Sequence, residues 1–342
     1  MKHILVIRLS AMGDVAMTVP VISALIQQDK NVKVTVVSRP FFKPFFDGME
    51  RVDFFGVDLK DRHNGFVGIY RLFQELKKLK IDGVADLHNV LRSKVLRTFF
   101  KIFGTKVAFT DKGRADKKAL TRVENKVFQP VKTMVDRHVE TFQQLGFSID
   151  LSQSHFPEKT LISQDISDVV GEKQNYKWIG IAPFAQYETK VYPQDLMAET
   201  IALLAQNKSN KILLFGGGDT EIQKLNQLQQ GFDNVIVVAG KIKFDQELHL
   251  IQNLDLMLSM DSGNAHIAAM YGIKVVTLWG HTHPYAGFMP FEQPLAHCIT
   301  ADRTQYPKLP TSVYGNKITE GYEDVMRTIK PQTVVNKINE LL

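Results

Sequence analysis

A few short stretches of this chain carry residues whose types and spacing can do chemistry. Ser10-Ala11-Met12-Gly13-Asp14 follows an apolar run and opens a helical pattern. An acidic residue there either caps the helix and complements its dipole, or stands at the mouth of a cleft as a general base toward an attacking hydroxyl, with Gly13 admitting a ligand close to the backbone. Asp261-Ser262-Gly263-Asn264-Ala265-His266 marks a second strand-to-helix transition. Backbone N–H groups and the positive end of that helix suit a phosphate or diphosphate. A plain capping turn uses the same residues, and His266 is either a donor to a phosphate or sugar oxygen or a satisfied, half-buried histidine.

Lys190 lies in the loop Gln186-Tyr187-Glu188-Thr189-Lys190-Val191-Tyr192-Pro193. A solvated lysine is the default there; a functional one places positive charge where negative charge grows on a leaving diphosphate. Gly216-Gly217-Gly218-Asp219-Thr220-Glu221 follows another strand, where glycines allow close approach and Asp219 or Glu221 can accept from ribose hydroxyls, although a tight turn with a helix cap explains the same residues. His281 and His283 alternate in a loop, but no carboxylate or cysteine joins them at ligand spacing, so no metal site is expected. The absence of G-x-G-x-x-G gives little support for a dinucleotide site.

These loops need a scaffold, and the pattern supplies one. Residues 3–8, 32–38, 83–87 and 106–109 read as strands, with helices predicted at about 14–28 and 70–80. The pattern restarts with strands at 178–183, 211–215, 235–238, 256–259 and 274–278 and helices at 193–206 and 220–230. Strands alternating with helices predict two α/β, doubly wound parallel sheets, whose ligands meet loops beyond the carboxyl ends of the strands. The expected domains are residues 1–157 and 158–330, joined through the polar stretch 148–175 with its short helix near 164–172, and followed by a closing helix at 331–342.

A length of 342 residues fits two domains of about 150 residues each. With 44% hydrophobic and 23% charged residues the chain can bury sizeable cores, and no low-complexity stretch interrupts it. Its single cysteine, Cys298, makes no internal disulfide, which fits a reducing cytoplasm. The N-terminal apolar run is too short for a signal peptide, and nothing approaches the ~18 apolar residues of a membrane span. The net charge of +6 is uneven: residues 1–157 hold 26 Lys+Arg against 16 Asp+Glu, residues 158–342 hold 16 against 20. Such a field points to an anionic partner for the first half.

Together the loops resemble glycosyltransferase family 9, the ADP-heptose:lipopolysaccharide heptosyltransferases. The resemblance runs over nearly the whole chain, through Ile4-Leu5-Val6-Ile7-Arg8-Leu9-Ser10-Ala11-Met12-Gly13-Asp14 with Pro20, Asp86-Leu87-His88-Asn89-Val90-Leu91-Arg92-Ser93, Lys190 with Pro193, Gly216 to Gly218, and Asp261-Ser262-Gly263 with His266. It implies a GT-B architecture, two Rossmann-like domains facing a central cleft, and an inverting, metal-free displacement at a sugar C1 with no cofactor. Asp14 then matches the family's base. Lys190, Ser262, Gly263 and His266 match positions holding the donor diphosphate and sugar, and Asp261 one contacting the sugar. Asp219 matches an acidic position near the ribose that is Glu in the family, so Glu221 competes with it, and Gln186 stands where Thr or Ser would touch phosphate.

The same resemblance gives the first domain to the acceptor, with Ser10, Gly13, His88 and Arg92 on that side. Residues 92–126 hold eleven basic against three acidic side chains, interleaved with Phe99, Phe100, Phe103 and Phe109. Lys112, Arg114, Lys117 and Lys118 are either a solvated face or a cover for a phosphorylated lipid headgroup at the inner leaflet, where each basic residue contributes ~1 kcal/mol. The expected partners are a nucleotide sugar, foremost ADP-heptose, an anionic glycolipid acceptor, and the inner membrane surface touched peripherally from the cytoplasm. A GT-B sugar-nucleotide epimerase is the alternative within the fold. A nucleic-acid-binding module is the rival class, but it leaves Asp14, Lys190 and the Asp261 loop unexplained, and no helix-turn-helix, RNA-binding or zinc motif is present.

Overall fold

Runs of β-branched and aliphatic residues make the strands, as expected where both faces of a parallel sheet are covered. In the computed structural model, which describes residues 1–342, the first sheet comprises β1 (Lys2–Ile7), β2 (Val32–Ser38), β3 (Val52–Gly56), β4 (Gly83–Asp86) and β5 (Lys106–Phe109), all parallel, in the order β3-β2-β1-β4-β5. The connecting helices are α1 (Met12–Ala16), α2 (Val19–Gln28), α3 (Gly65–Lys77) and α4 (Leu91–Ile102). The chain continues through α5 (Arg114–Thr121) and α6 (Met134–Leu145), the latter packed on β4 and β5. Leu5, Ile7, Leu72, Phe73, Val84 and Phe100 meet in one buried cluster, where each such side chain contributes about 1.5–3 kcal/mol by leaving water.

The second sheet repeats the plan. It follows α7 (Gln164–Val170) and contains β6 (Lys177–Ala182), β7 (Asn210–Leu214), β8 (Val235–Val237), β9 (Leu256–Met260), β10 (Lys274–Trp279) and β11 (Cys298–Thr300), parallel in the order β11-β10-β9-β6-β7-β8. Helices α8 (Gln194–Ala205), α9 (Asp219–Gln229), α10 (Phe244–Gln252) and α11 (Gly263–Met270) connect its strands, and α12 (Pro331–Leu341) lies against α8, β9 and β10. In both sheets the connection order reverses beside the founding strand. The first switch point lies between β1 and β4 and the second between β6 and β9, which are the places where open α/β sheets take ligands.

The division of the chain differs from the expected cut after residue 157. One unit is Met1–Gly113 with Lys132–Phe156; the other is Arg114–Val131 with Pro157–Leu342. The segment Arg114–Val131 docks on loops of the second sheet: Val131 N–H donates to the Tyr285 carbonyl at 2.9 Å and Lys126 Nζ to the Pro310 carbonyl at 2.8 Å. It takes five basic and two acidic side chains with it, so the first unit holds 21 Lys+Arg against 14 Asp+Glu. The charge asymmetry between the units is therefore milder than between the halves of the sequence. The helix expected at 14–28 is two helices, broken ahead of Pro20, which sits in the first turn of α2 where its missing N–H costs nothing. No helix is long and apolar enough to cross a membrane.

The closing helix is part of the second core, because Val334 and Ile338 are fully buried among residues of the sheet and α8. Ile338→Ala should cost about 2–5 kcal/mol through lost burial and the cavity left behind. Denaturant unfolding followed by circular dichroism checks this, and an unchanged midpoint would show that α12 is dispensable to the core.

Candidate functional site

Arg8, the first residue after β1, organises the first switch point. It is 4% exposed. Its Nε donates to the Ser10 carbonyl at 2.8 Å and its Nη1 to the Leu87 carbonyl at 2.7 Å, which ties the loop after β1 to the loop after β4. Its Nη2 lies 2.5 Å from Asp14 Oδ2. Asp14 occupies the first turn of α1, and the same Oδ2 accepts from the Ala11 N–H at 3.3 Å. The two readings of Asp14 therefore coexist: it caps the helix, and it is a carboxylate aimed and held by a buried cation. Sequence reasoning misses Arg8 as a functional residue because its role depends on a carbonyl 79 residues away.

His88 completes this corner. Its Nδ1 accepts from the Leu9 N–H at 3.4 Å, so the proton of the neutral ring belongs on Nε2. The turn beneath it is fixed by Asp86, fully buried, which accepts from the N–H groups of His88 and Asn89 at 3.0 and 2.7 Å and pairs with Arg97 at 2.8 Å. Burial, then the cations of Arg8 and Lys112, pull the His88 imidazole down to about 3, against a smaller opposing pull from Asp14. Ser10 and Gly13 flank Asp14 in the same loop.

In the second unit the loops after β6 and β9 meet across the switch point. Lys190 Nζ and Asp261 Oδ2 form an ion pair at 2.9 Å, with side chains only 13% and 8% exposed. Ser262 precedes α11, but its hydroxyl bonds the Ser259 hydroxyl at 3.0 Å and does not cap the helix. Gly263 and His266 lie in the first turns of α11, with His266 buried. A residue unseen in the sequence fixes Lys190: Gly315, at φ +80°, has the lysine stem laid across it. A Cβ at that position would stand 2.5 Å from Lys190 Cδ and 2.6 Å from Cγ. The Thr189 hydroxyl donates to the Gly315 carbonyl, and the Gly315 N–H donates to the buried Ser312 hydroxyl at 2.9 Å.

The remaining candidates are placed less uniformly. Glu221 Oε2 accepts from the Gly217 N–H at 2.8 Å and so is fixed on the glycine loop, whereas Asp219, at the start of α9, is exposed, as is Gln186. Arg92, Arg114 and Lys118 are exposed and Lys112 half-buried. Lys117 is only 2% exposed, its ammonium 3.9 Å over the Phe288 ring, so it packs α5 onto the second unit as interior structure. His281 and His283 go to separate partners, the Thr311 hydroxyl and the Tyr285 N–H.

The lowered His88 value sets a pH signature. A histidine whose folded pKa lies below its unfolded value of about 6.5 stabilises the fold fully above pH 6.5 and loses that contribution as pH falls toward about 3. The His88 ring resonance should accordingly stay at its neutral position from pH 8 to pH 5, and His88→Gln should flatten part of the stability loss below pH 6.5. A His88 midpoint near 6 in an NMR titration would remove the buried, cation-flanked account of this ring.

The model of glycosyltransferase family 9 (heptosyltransferase) matches residues 69–320. Lipopolysaccharide heptosyltransferase 1 of Campylobacter coli is 22% identical over 303 residues, spanning 82% of this chain and 85% of that protein. Among solved structures, a glycosyl transferase family 9 protein from Veillonella parvula aligns with a TM-score of 0.77 at 20% identity over 99% of this chain and 97% of its own. The E. coli heptosyltransferase WaaC with ADP aligns with a TM-score of 0.69 at 18% identity over 99% and 100%. These likenesses give the two-domain, Rossmann-like GT-B fold, and the family match favours a glycosyltransferase over an epimerase or a nucleic-acid binder. The chain belongs to glycosyltransferase family 9, the heptosyltransferase family.

Proposed function

We propose that the chain transfers heptose from ADP-heptose to an anionic glycolipid of the lipopolysaccharide core by a single inverting displacement. The observation that supports this most is the pair of held carboxylates, Asp14 on Arg8 and Asp261 on Lys190, each at a sheet's switch point. The acceptor hydroxyl attacks the sugar C1, its proton passes to Asp14, the new C–O bond forms, and the bond from C1 to the diphosphate oxygen breaks. Arg8 orients the base, and neutral His88 offers its Nε2–H to the acceptor without competing for the proton.

Lys190 meets the charge that grows on the leaving ADP, joined by the N–H groups that open α11 at Gly263. Asp261 holds the lysine at the height of the diphosphate and faces the sugar, with Ser262 and His266 beside it. Glu221 is the better ribose partner of the two acidic candidates, because Gly217 already fixes one of its oxygens while Asp219 is exposed. Gln186 touches the phosphate edge. On the acceptor side, Ser10, Gly13 and Arg92 line the approach to Asp14. Lys112, Arg114 and Lys118 attract the anionic headgroup and the inner membrane surface, and Lys117 is withdrawn from that group by its burial. No step calls on a metal or cofactor, so transfer should persist in excess chelator.

Two variants test the reading. Asp14→Asn keeps the shape but loses the proton acceptor, so kcat should fall ~10²- to 10⁴-fold while ADP affinity holds. The variant also leaves buried Arg8 without its carboxylate, so some loss of melting temperature is expected, and kcat is to be read well below the melting transition. Wild-type turnover in folded Asp14→Asn would sink the base assignment.

Gly315→Ala touches neither substrate yet drives Lys190 from its place. It should weaken ADP binding about 10- to 100-fold, the value of one charge-assisted hydrogen bond, as Lys190→Gln should also do, and the double variant should lose no more than either single one. Additive losses in that cycle would mean that Gly315 acts elsewhere.

A further inference from the structure

The loops after β10 and β11 carry a cationic cluster that no part of the transfer chemistry uses. Arg303 stacks its guanidinium 3.4 Å over the Phe128 ring and donates Nε to the Leu309 carbonyl at 3.0 Å. Its two terminal nitrogens make no hydrogen bond or ion pair within the chain. Phe128, His283 and Tyr285 form a closed triangle of rings with centroids 4.5 to 5.0 Å apart. His283 is 7% exposed and accepts the Tyr285 N–H on Nδ1, which turns its Nε2–H outward as a donor. Lys126 Nζ donates to the Leu120 and Pro310 carbonyls at 2.9 and 2.8 Å and keeps a third N–H.

These groups cost the fold something and are not compensated within it. Burial and then Arg303 pull the Lys126 amine down to about 8, and burial followed by Arg303 and Lys126 pulls His283 down to about 4. No carboxylate acts on either of them. The neighbouring Asp302 turns instead to the N–H groups of Thr304 and Gln305, at 2.7 and 3.4 Å. Two half-buried cations, Arg303 and Lys126, placed together without an acid are unfavourable, and an oxyanion arriving between them recovers that cost.

We infer that Arg303, Lys126 and His283 form a phosphate-binding site on the second unit, distinct from Lys190 and Asp261. Three donor groups on separate stems suit a tetrahedral phosphate, with the Arg303 fork taking two of its oxygens. The topology places the site at the working end of the sheet. His283 follows β10 and Arg303 follows β11, so both stand at carboxyl ends of parallel strands, one and two strand spacings of about 4.8 Å from β9 and its Asp261. The segment Arg114–Val131 brings Lys126 and Phe128 to this edge, which gives its excursion a purpose. The phosphate belongs either to the acceptor glycolipid or to the free ion; the first assignment rests on the transferase reading, and the site itself does not.

The test is titration of inorganic phosphate into the full chain in chloride buffer, followed by calorimetry. With ADP present in saturating amount, so that the Lys190 site is filled, phosphate affinity should fall about tenfold or more in Arg303→Gln and in Lys126→Gln. Because Arg303 also packs on Phe128, its variant could unfold that edge; Lys126→Gln, with an intact melting curve, then decides. Undiminished phosphate binding in folded Lys126→Gln under the same conditions overturns the site. A kinetic arm separates the sources. If the acceptor supplies the phosphate, Arg303→Gln raises KM for the phosphorylated glycolipid but not for its dephosphorylated form, with kcat unchanged. If free phosphate is the ligand, neither KM moves while the titration still shows the loss. Absence of any transfer by the wild type would defeat the heptosyltransferase reading, and the phosphate titration would still decide the site by itself.

Discussion

A cation holds a carboxylate at the switch point of each sheet, and the arrangement of both sites depends on it. Where the order of a parallel sheet reverses, neighbouring connections leave toward opposite faces and a crevice opens between them. The ladders between β1 and β4 and between β6 and β9 end at Ile7–Asp86 and Ala182–Ser259, below that crevice. Arg8 spans it in the first unit by binding the loops after β1 and β4 together before it reaches Asp14. In the second, Lys190 and Asp261 join the loops after β6 and β9 directly. Charges this little exposed interact more strongly than surface pairs, and removing one partner leaves the other buried without compensation, at a cost of about 3–5 kcal/mol in well-buried cases. The groups proposed for chemistry are thus the same groups that keep the crevices in shape.

This coupling explains why glycine is needed at Gly315. A lysine that must carry its charge to a fixed height needs its alkyl stem supported along its length, and the Gly315 backbone supplies a surface with no side chain in the way. The support is itself tied down through Thr189 and Ser312. Precision in a flexible four-carbon side chain comes here from packing against backbone.

Asp14, Lys190 and the Asp261 loop were legible because each follows a strongly apolar strand, and strand ends in a doubly wound sheet are where ligands bind. What escaped has physical reasons. The edge strands β3 and β11 are short and half-exposed, so they lack the continuous apolar run that marks the central strands. The apolar periodicity of α1 runs on into α2, and only Pro20, tolerated in a first turn, marks the break. Arg8 and Gly315 act on groups distant in sequence, at the Leu87 carbonyl and at Lys190, and no local pattern announces such a contact. That Glu221 rather than Asp219 is fixed on the glycine loop follows from the backbone path of that loop, which places the Gly217 N–H against it.

The basic stretch from Arg92 to Lys126 shows how far a cluster in sequence can fall short of a cluster in space. Arg97 is committed to buried Asp86 and the Phe109 ring, Lys117 to Phe288, and Lys126 to two carbonyls. Arg92, Lys94, Lys101, Lys106, Arg114, Lys118 and Arg122 remain exposed, and of these the last three travel with the second unit. The long-range field that draws an anion therefore has sources on both units, and its sign reversal between the halves of the sequence largely disappears. Where such an anion stops is decided by desolvated donors, because exposed cations separated by more than about 8 Å are largely screened at physiological salt while buried ones are screened much less. By that criterion the exposed lysines and arginines act on the rate of encounter, and the roles proposed for His88, Lys190 and the Arg303 cluster are to set the position of what has been encountered.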